Sequence, residues 1–333
     1  MRIAVDAMGG DYAPQAVVQG TLQAAKAYQD MKFILVGDPD RIKACLIAEE
    51  MPGNVAIHPA MESIAMDEHP AGAVRKKKDA SIVVATRLVK EGQAEAVVSA
   101  GSTGAQMAAA LLILGRIKKI ERPAIATVIP TSEGGKLILD VGANPDAKPE
   151  HLQQYGLMGS IYAEKILGID SPRVGLLNIG SEEGKGNELA QASYPLLQAS
   201  KINFIGNIEG RDVPYGKADV VVCDGFVGNV MLKTIEGVAG VLFDLIKAKI
   251  TSTTVRKLGA LAIKPGLKEI AKMMDYAEYG GAPLLGVNGI SIICHGSSKE
   301  KAIFNALRVA RECIEVDFIT SIKEEMKHDS QNK

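Results

Sequence analysis

A chain of 333 residues, 47% of them apolar, is long enough for one large core or two lobes and too apolar to remain unfolded. Its 38 basic and 39 acidic side chains nearly cancel, so no global field gathers nucleic acid, and eight Tyr, six Phe and no Trp are too few for stacking platforms on single strands. Four cysteines, Cys45, Cys223, Cys294 and Cys313, lie far apart without a Cys-x-x-Cys pair or His/Cys spacing for zinc, which points to a reduced, cytoplasmic setting and no bound metal.

Met1-Arg-Ile-Ala-Val-Asp6 opens directly as a strand, and no apolar run is read as approaching the roughly 18 residues of a spanning helix. Ile3–Asp6 leads into a helix opening at Ala13-Pro14, and Phe33–Val36 into one opening at Pro39. Ala96–Ser99 leads into one beginning near Gly104. A further helix is predicted from Ala80-Ser81, after the basic run Arg75-Lys76-Lys77-Lys78. Ile125–Ile129 and Leu137–Asp140, separated by Pro130-Thr-Ser-Glu-Gly-Gly135, read as an antiparallel hairpin. Val174–Leu177, Phe204–Ile205, Val220–Cys223 and Ile290–Cys294 continue the strand series, and one long helical pattern runs from Lys299 to about Lys327. This alternation predicts an α/β protein with a mostly parallel sheet and helices on both faces. With no linker, repeat or low-complexity segment, residues 1–327 are expected to form one domain, with room for a central cleft between two lobes, and residues 328–333 a polar tail.

Three predicted strands stop at glycine-rich loops and restart as helices: Ser99-Ala-Gly-Ser-Thr-Gly104, Asn178-Ile-Gly-Ser-Glu-Glu-Gly-Lys-Gly-Asn187 and Cys223-Asp-Gly-Phe-Val-Gly-Asn229. Such junctions leave backbone N–H groups pointing from a helix N-terminus, where the dipole favours an anion and glycine lets it approach. Any one of them is more simply a tight turn; three together, at the carboxyl ends of strands where open sheets collect ligands, point to anion chemistry. Familiar nucleotide fingerprints fail. Gly180-Ser-Glu-Glu-Gly-Lys-Gly186 is one residue short of a P-loop, lacks the following Ser/Thr, and sets Glu182 and Glu183 against a phosphate. Neither Gly9-Gly10 nor Gly101-Ser-Thr-Gly104 completes Gly-x-Gly-x-x-Gly, leaving a dehydrogenase with no support beyond fold analogy.

The set Asp6-Ala-Met-Gly-Gly-Asp11, Ser99-Ala-Gly-Ser-Thr-Gly-Ala105, Leu139-Asp-Val-Gly-Ala-Asn-Pro-Asp146, Asn178 to Asn187, Asp224-Gly-Phe-Val-Gly-Asn229 and His295-Gly-Ser-Ser298 resembles, in this order and over nearly the whole chain, the PlsX family of acyl-carrier-protein:phosphate acyltransferases of bacterial phospholipid synthesis. The resemblance implies transfer of a long-chain acyl group from acyl-carrier protein to orthophosphate, and an acyl phosphate product for the membrane acyltransferase PlsY. It also implies a homodimer and an isocitrate/isopropylmalate dehydrogenase-like fold, as in phosphotransacetylases. No cofactor is implied.

That reaction needs a phosphate dianion held beside a thioester and an oxyanion stabilised on its carbonyl. Lys185 is assigned to the negative charge and Asn229 to an amide hydrogen bond; their plainer readings are a solvated loop lysine and an N-cap asparagine. Gly101, Ser102, Thr103, Gly104, Asn178, Gly184 and Gly228 are candidate phosphate or substrate contacts, although Ser102 and Thr103 equally suit a helix cap. His295 could protonate the departing thiolate, but a thiolate leaves readily without help and a turn histidine is the commoner role. Cys223, with no nearby His, reads as an inert strand cysteine.

Arg75, Lys76, Lys77 and Lys78 would suit the acidic carrier protein or draw in phosphate, or form a solvated charge run. Residues 254–274 combine five basic residues with apolar ones, among them Arg256, Lys257, Leu258, Leu261 and Ile263, and Gly259, Pro265 and Gly266 are expected to break them into two short helical pieces. They would meet either an anionic membrane surface, making the enzyme peripherally membrane-associated, or a dimer partner. The competing functions are a short-chain phosphotransacetylase using coenzyme A and a non-catalytic membrane-peripheral scaffold.

Overall fold

The computed structural model describes residues 1–46 and 50–328; the polar tail expected over 328–333 lies, past His328, outside them. In chain order the elements are β1 (Arg2–Asp6), α1 (Gln15–Ala27), β2 (Lys32–Gly37), α2 (Pro39–Ala44), β3 (Val55–Pro59), α3 (Pro70–Lys76), α4 (Ser81–Lys90), β4 (Ala96–Ser99) and α5 (Thr103–Ala109). Then come the hairpin β5 (Ala124–Thr131) and β6 (Gly134–Leu139), α6 (Pro149–Lys165), β7 (Arg173–Asn178), α7 (Glu188–Gln198), β8 (Asn203–Glu209) and β9 (Val220–Val222). The chain continues with α8 (Gly225–Ile250), α9 (Thr254–Met273), α10 (Tyr276–Tyr279), β10 (Ala282–Leu285), β11 (Ile290–Ile293), α11 (Glu300–Glu315) and α12 (Phe318–His328).

Among the described residues the strands form one 11-stranded sheet in the order β3-β2-β1-β4-β11-β10-β5-β6-β9-β7-β8. The strands are apolar on both faces because helices cover both. In β1, Ile3 and Val5 enter the core built with α1 and α11, whereas Ala4 enters the one built with α4 and α5. On the other side of the hairpin, Leu137, Leu139, Val220 and Val222 face the core built with α6, and Ile138 and Val221 face the opposite one. Gly20 lets α11 press close to α1: a Cβ there would stand 2.6 Å from the Glu300 carbonyl oxygen and 2.7 Å from Ile303 Cβ.

Strands β3, β2, β1, β4 and β11 are mutually parallel, as are β6, β9, β7 and β8, but β10 is antiparallel to β11 and β5, and β5 to β6. Three successive reversals make the second parallel set run opposite to the first. The glycine loops do follow β4, β7 and β9, yet β4 belongs to the first parallel set and β7 and β9 to the second, oppositely directed one.

Three helical expectations need correction. The pattern from Lys299 to about Lys327 is two helices, because Asp317 takes φ +45° after α11 and redirects the chain so that Phe318 meets Tyr162 edge-on at 5.6 Å. Residues 254–274 hold one continuous helix, α9: Pro265 forfeits a single backbone hydrogen bond, and Gly259 and Gly266 add only backbone entropy. It is joined to α8 through residues 251–253. By length and composition α8 is a helix long and apolar enough to cross a membrane, contrary to the expectation of none. Strands β3 and β10 were not anticipated.

The order β6-β9-β7 is clamped at its far end by Asp219, which is buried. Its carboxylate accepts from Lys136 Nζ at 2.6 Å and from Arg173 Nε at 2.9 Å. Burial alone would raise this carboxyl; the Arg173 and Lys136 hydrogen bonds outweigh it and hold the group well below the usual carboxylate range. Its stabilisation is therefore present above the ordinary carboxylate range and is lost as pH falls through the lowered folded value. Lys136→Met should cost about 1–3 kcal/mol in denaturant unfolding by removing one of the two cations on Asp219, with Arg173 left in place.

Candidate active site

Strand β6 delivers Asp140 to the sheet edge fully buried. One carboxylate oxygen accepts from the backbone N–H of Ile125 at 3.0 Å, Gly142 at 3.2 Å and Ala143 at 3.0 Å. The other accepts from the N–H of Asn144 at 2.7 Å and from its Nδ2 at 3.1 Å. Burial pushes the carboxyl up and these donors pull it back. Every partner is a donor, which is the environment of an ionised carboxylate.

The same loop is bonded to the start of α8. The Asp140 N–H donates to the Cys223 carbonyl at 3.1 Å, and the Gly225 N–H to the Asn144 carbonyl at 2.9 Å. Gly225 and Gly228 are needed as glycines: a Cβ on the first would stand 2.9 Å from Asp140 Oδ2, and one on the second would land on the Asp140 carbonyl oxygen. The cap of α8 is Asp224, whose Oδ1 accepts from Phe226 and Val227 N–H at 2.9 Å. Asn229 is thus not the N-cap that its position suggested. It sits in the second turn, exposed, and a Cβ on Gly142 would be 3.9 Å from its Cγ.

Strand β7 neighbours β9, so the loop that carries Lys185 leaves the same edge beside Asn229's helix. Asn178 braces this loop, donating from Nδ2 to the Lys185 carbonyl at 3.0 Å and accepting from Ile179 N–H at 2.8 Å. Asn207 donates to the Glu182 carbonyl at 2.8 Å, and Gln191 to those of Gly184 at 3.0 Å and Gly186 at 3.1 Å. Asn178 and Gly184, expected as substrate contacts, thus take part in building the loop. Neither the Lys185 ammonium nor the Asn229 amide has a hydrogen-bond partner among the described residues, and Lys185 is exposed.

The remaining candidates occupy the other edge. Ser102 caps α5, accepting from Ala105 N–H at 3.4 Å; Thr103 opens that helix, and Gly104 lies against Pro70. Beside Gly101, buried Asp6 accepts from Ser99 Oγ at 2.6 Å and Met8 N–H at 3.2 Å. His295 is an exposed turn residue whose Nδ1 lies 2.7 Å from Ser297 Oγ. By strand direction, Lys185, Asn229, Gly228, Gly184 and Asn178 follow strands of one parallel set, and Gly101, Ser102, Thr103, Gly104 and His295 follow strands of the oppositely directed set. The helix N-termini that follow the three glycine loops all carry caps, the third being Asn187, which accepts from Ala190 N–H at 2.9 Å. Cys223 is buried, and burial, then Asp224 and Asp140, push its thiol well up.

In the basic run, Arg75, Lys76 and Lys78 are exposed, but Lys77 is held by Glu68 at 2.7 Å and the Ser63 carbonyl at 2.9 Å. On α9, Leu258, Leu261 and Ile263 are more than half exposed, and no residue of that helix is buried; Arg256 turns back to Ser252 Oγ at 2.8 Å, and Lys257 is exposed. Asp140, Asn144 and Asp6 escaped selection as single residues; the signal available was an Asp closing an apolar strand just before a glycine.

The family described as fatty acid synthesis protein matches residues 1–321. A phosphate acyltransferase of Desulfitobacterium hafniense is 73% identical over 327 residues, covering 98% of each chain. One from Heliobacterium modesticaldum is 61% identical over 327 residues, covering 97% of each. In fold the chain is similar to a phosphotransacetylase from Streptococcus pyogenes, with a TM-score of 0.63 at 17% identity, over 95% of this chain and 94% of that one.

Asp140→Asn would turn an amide NH2 toward backbone donors and is expected to destabilise the chain by about 1–3 kcal/mol in thermal unfolding. Gly228→Ala should displace the first turns of α8 and lower turnover further than its loss of stability explains.

Proposed function

Because the chain belongs to the fatty acid synthesis protein family of phosphate acyltransferases, we propose that it transfers a long-chain acyl group from acyl-carrier protein to orthophosphate, yielding an acyl phosphate for phospholipid synthesis. Acyl transfer to phosphate is the family's activity; the carrier-bound, long-chain donor is our own reading. The observation that carries the site assignment is that three adjacent strand ends, of β6, β9 and β7, gather the Asp140 loop, Asn229 and Lys185 at one edge.

Orthophosphate is already nucleophilic at neutral pH. One of its oxygens attacks the thioester carbonyl carbon, the carbonyl electrons move onto oxygen, and collapse of that oxyanion breaks the C–S bond and releases a thiolate. Lys185 compensates the phosphate charge or the developing oxyanion, and the Asn229 amide donates to the oxyanion. Lys185 stands on a braced loop and Asn229 on a helix whose first turns pack against the Asp140 loop, so little backbone reorganisation opposes the step. Cys223 has no part in it: a deeply buried thiol held up in pKa is a poor nucleophile.

Residues 1–327 act in this reading as one catalytic unit in the cytoplasm. The apolar side chains exposed along α8 and α9, including Val238, Leu242, Leu245, Leu258 and Leu261, with Arg256 and Lys257 among them, support docking on an anionic membrane surface, where a greasy product would be passed to PlsY. Continuation of that apolar face near the sheet also suits a homodimer.

Purified chain with palmitoyl-carrier protein and orthophosphate in EDTA should form palmitoyl phosphate, with acetyl-coenzyme A a poor donor. Activity on acetyl-coenzyme A alone would make it a short-chain phosphotransacetylase, and none on either would favour a scaffold. Lys185→Ala and Asn229→Ala should each lower kcat by about 10²–10³ with folding intact. Leu258→Glu with Leu261→Glu should abolish sedimentation with anionic liposomes; unchanged sedimentation would assign the hairpin to a dimer contact.

A further inference from the structure

On the same side of the hairpin as Asp140 lies a cavity of about 360 Å³ lined by Arg116, Arg122, Lys148, His151 and Glu121. Three cations against one carboxylate leave two positive charges in excess. None of these residues was singled out in the sequence, and the acyl-transfer step described above uses none of them.

The cavity is built rather than incidental. His151 is buried and tied on both ring nitrogens: Nδ1 accepts from the Lys148 N–H at 3.0 Å, so Nε2 carries the proton and donates to Glu121 Oε2 at 3.2 Å. The Glu121 N–H donates to Gln154 Oε1 at 2.9 Å, and its carbonyl accepts from the Arg116 guanidinium. The Arg116 carbonyl in turn accepts from Asn288 Nδ2 at 2.6 Å. Arg122 has no hydrogen-bond partner among the described residues, and Lys148 stands at the start of α6.

The cavity is coupled to the candidate site. Its wall residue Pro123 accepts at its carbonyl from Asn144 Nδ2 at 2.6 Å, and Asn144 belongs to the Asp140 loop that lies against Asn229. An orthophosphate alone would leave most of such a volume empty, and the apolar surfaces of Leu111 and Pro123 beside the cations suit an anion attached to an organic arm.

We propose that this cavity binds the phosphate of a phosphopantetheine arm, the group that presents the acyl thioester to Asn229 and Lys185; the proposal rests on the thioester-donor reading above. Arg122 and Lys148 meet the phosphate, and His151 holds Glu121 away from it. The same phosphopantetheine unit occurs on a carrier protein, where its phosphate is a diester, and in coenzyme A, where it is part of a pyrophosphate.

Calorimetry and steady-state kinetics test this together. Phosphopantetheine should bind the wild-type chain and pantetheine should not, and Arg122→Ala and Lys148→Ala should each weaken that binding roughly tenfold, as expected for one charge-assisted hydrogen bond. The KM for palmitoyl-phosphopantetheine should rise by a similar factor, with kcat, the KM for orthophosphate and the KM for palmitoyl-pantetheine unchanged, and Arg122→Lys should recover part of the loss. A matching rise for palmitoyl-carrier protein or for palmitoyl-coenzyme A identifies the natural source of the arm. Equal binding of pantetheine and phosphopantetheine, or a rise confined to the KM for orthophosphate, would overturn the proposal. Wild-type chain that binds phosphopantetheine yet makes no acyl phosphate from any donor would instead sink the acyltransferase reading and leave the binding site standing.

Discussion

The Asp140 carboxylate is the constraint on which the candidate site depends. A buried carboxylate is tolerated only where donors replace its lost water, and here five N–H donors do so, four from backbone and one from Asn144. Because three of those backbone donors come from residues 142–144, the charge is satisfied only when the loop curls back over its own strand end. That curl fixes the carbonyls on which Gly225 and Gly228 pack, and with them the direction in which α8 leaves the sheet and the height at which Asn229 stands. A single desolvated charge thereby converts a glycine-rich segment, which has many conformations, into one shape.

The other half of the sheet repeats the device. Asp6 closes β1 as Asp140 closes β6, is likewise raised by burial, and is likewise restrained by nearby donors. The two halves run in opposite directions, however, so the repeated device closes strands of opposite sense. The reversal comes from the hairpin and from β10, which pairs antiparallel to both its neighbours. Carboxyl-end reasoning, sound for a sheet of one direction, treats all the glycine loops alike, whereas the pairing assigns them to two oppositely directed strand sets.

What was legible in the sequence was local. Ile3–Asp6, Phe33–Val36, Ala96–Ser99 and the Ile125 to Asp140 hairpin could be read because apolar runs ending at Gly, Pro or Asp carry their own boundaries. Strand β10, Ala282–Leu285, was missed because four residues containing a proline hold little periodic signal, and that strand helps to decide the direction of half the sheet. The break at Asp317 was hidden inside an unbroken amphipathic pattern, since a single left-handed residue leaves no compositional trace. Asp140 appeared within a quoted motif but not as a residue of consequence, because the donors that make it one, such as the N–H of Ile125, are contributed by tertiary structure. The cavity at Arg116, Arg122 and Lys148 was unreadable for the same reason: its cations come from segments more than twenty residues apart that β5 and α6 bring together.

Helix ends alone do not account for anion binding in this chain. A helix N-terminus offers about half a positive charge, yet Ser102, Asn187 and Asp224 already engage the first N–H groups of α5, α7 and α8. Asp224 adds a full negative charge at the third, and Glu182, Glu183 and Glu188 surround the second. Backbone dipoles so screened leave the work to cationic side chains. Lys185 stands on a loop braced by Asn178, Asn207 and Gln191, and Arg122 and Lys148 stand across the wall formed by Pro123 and Asn144. In the proposed reading the anion that reacts meets Lys185 and the one that anchors the donor arm meets Arg122 and Lys148, so the two negative charges are answered by different elements of the fold.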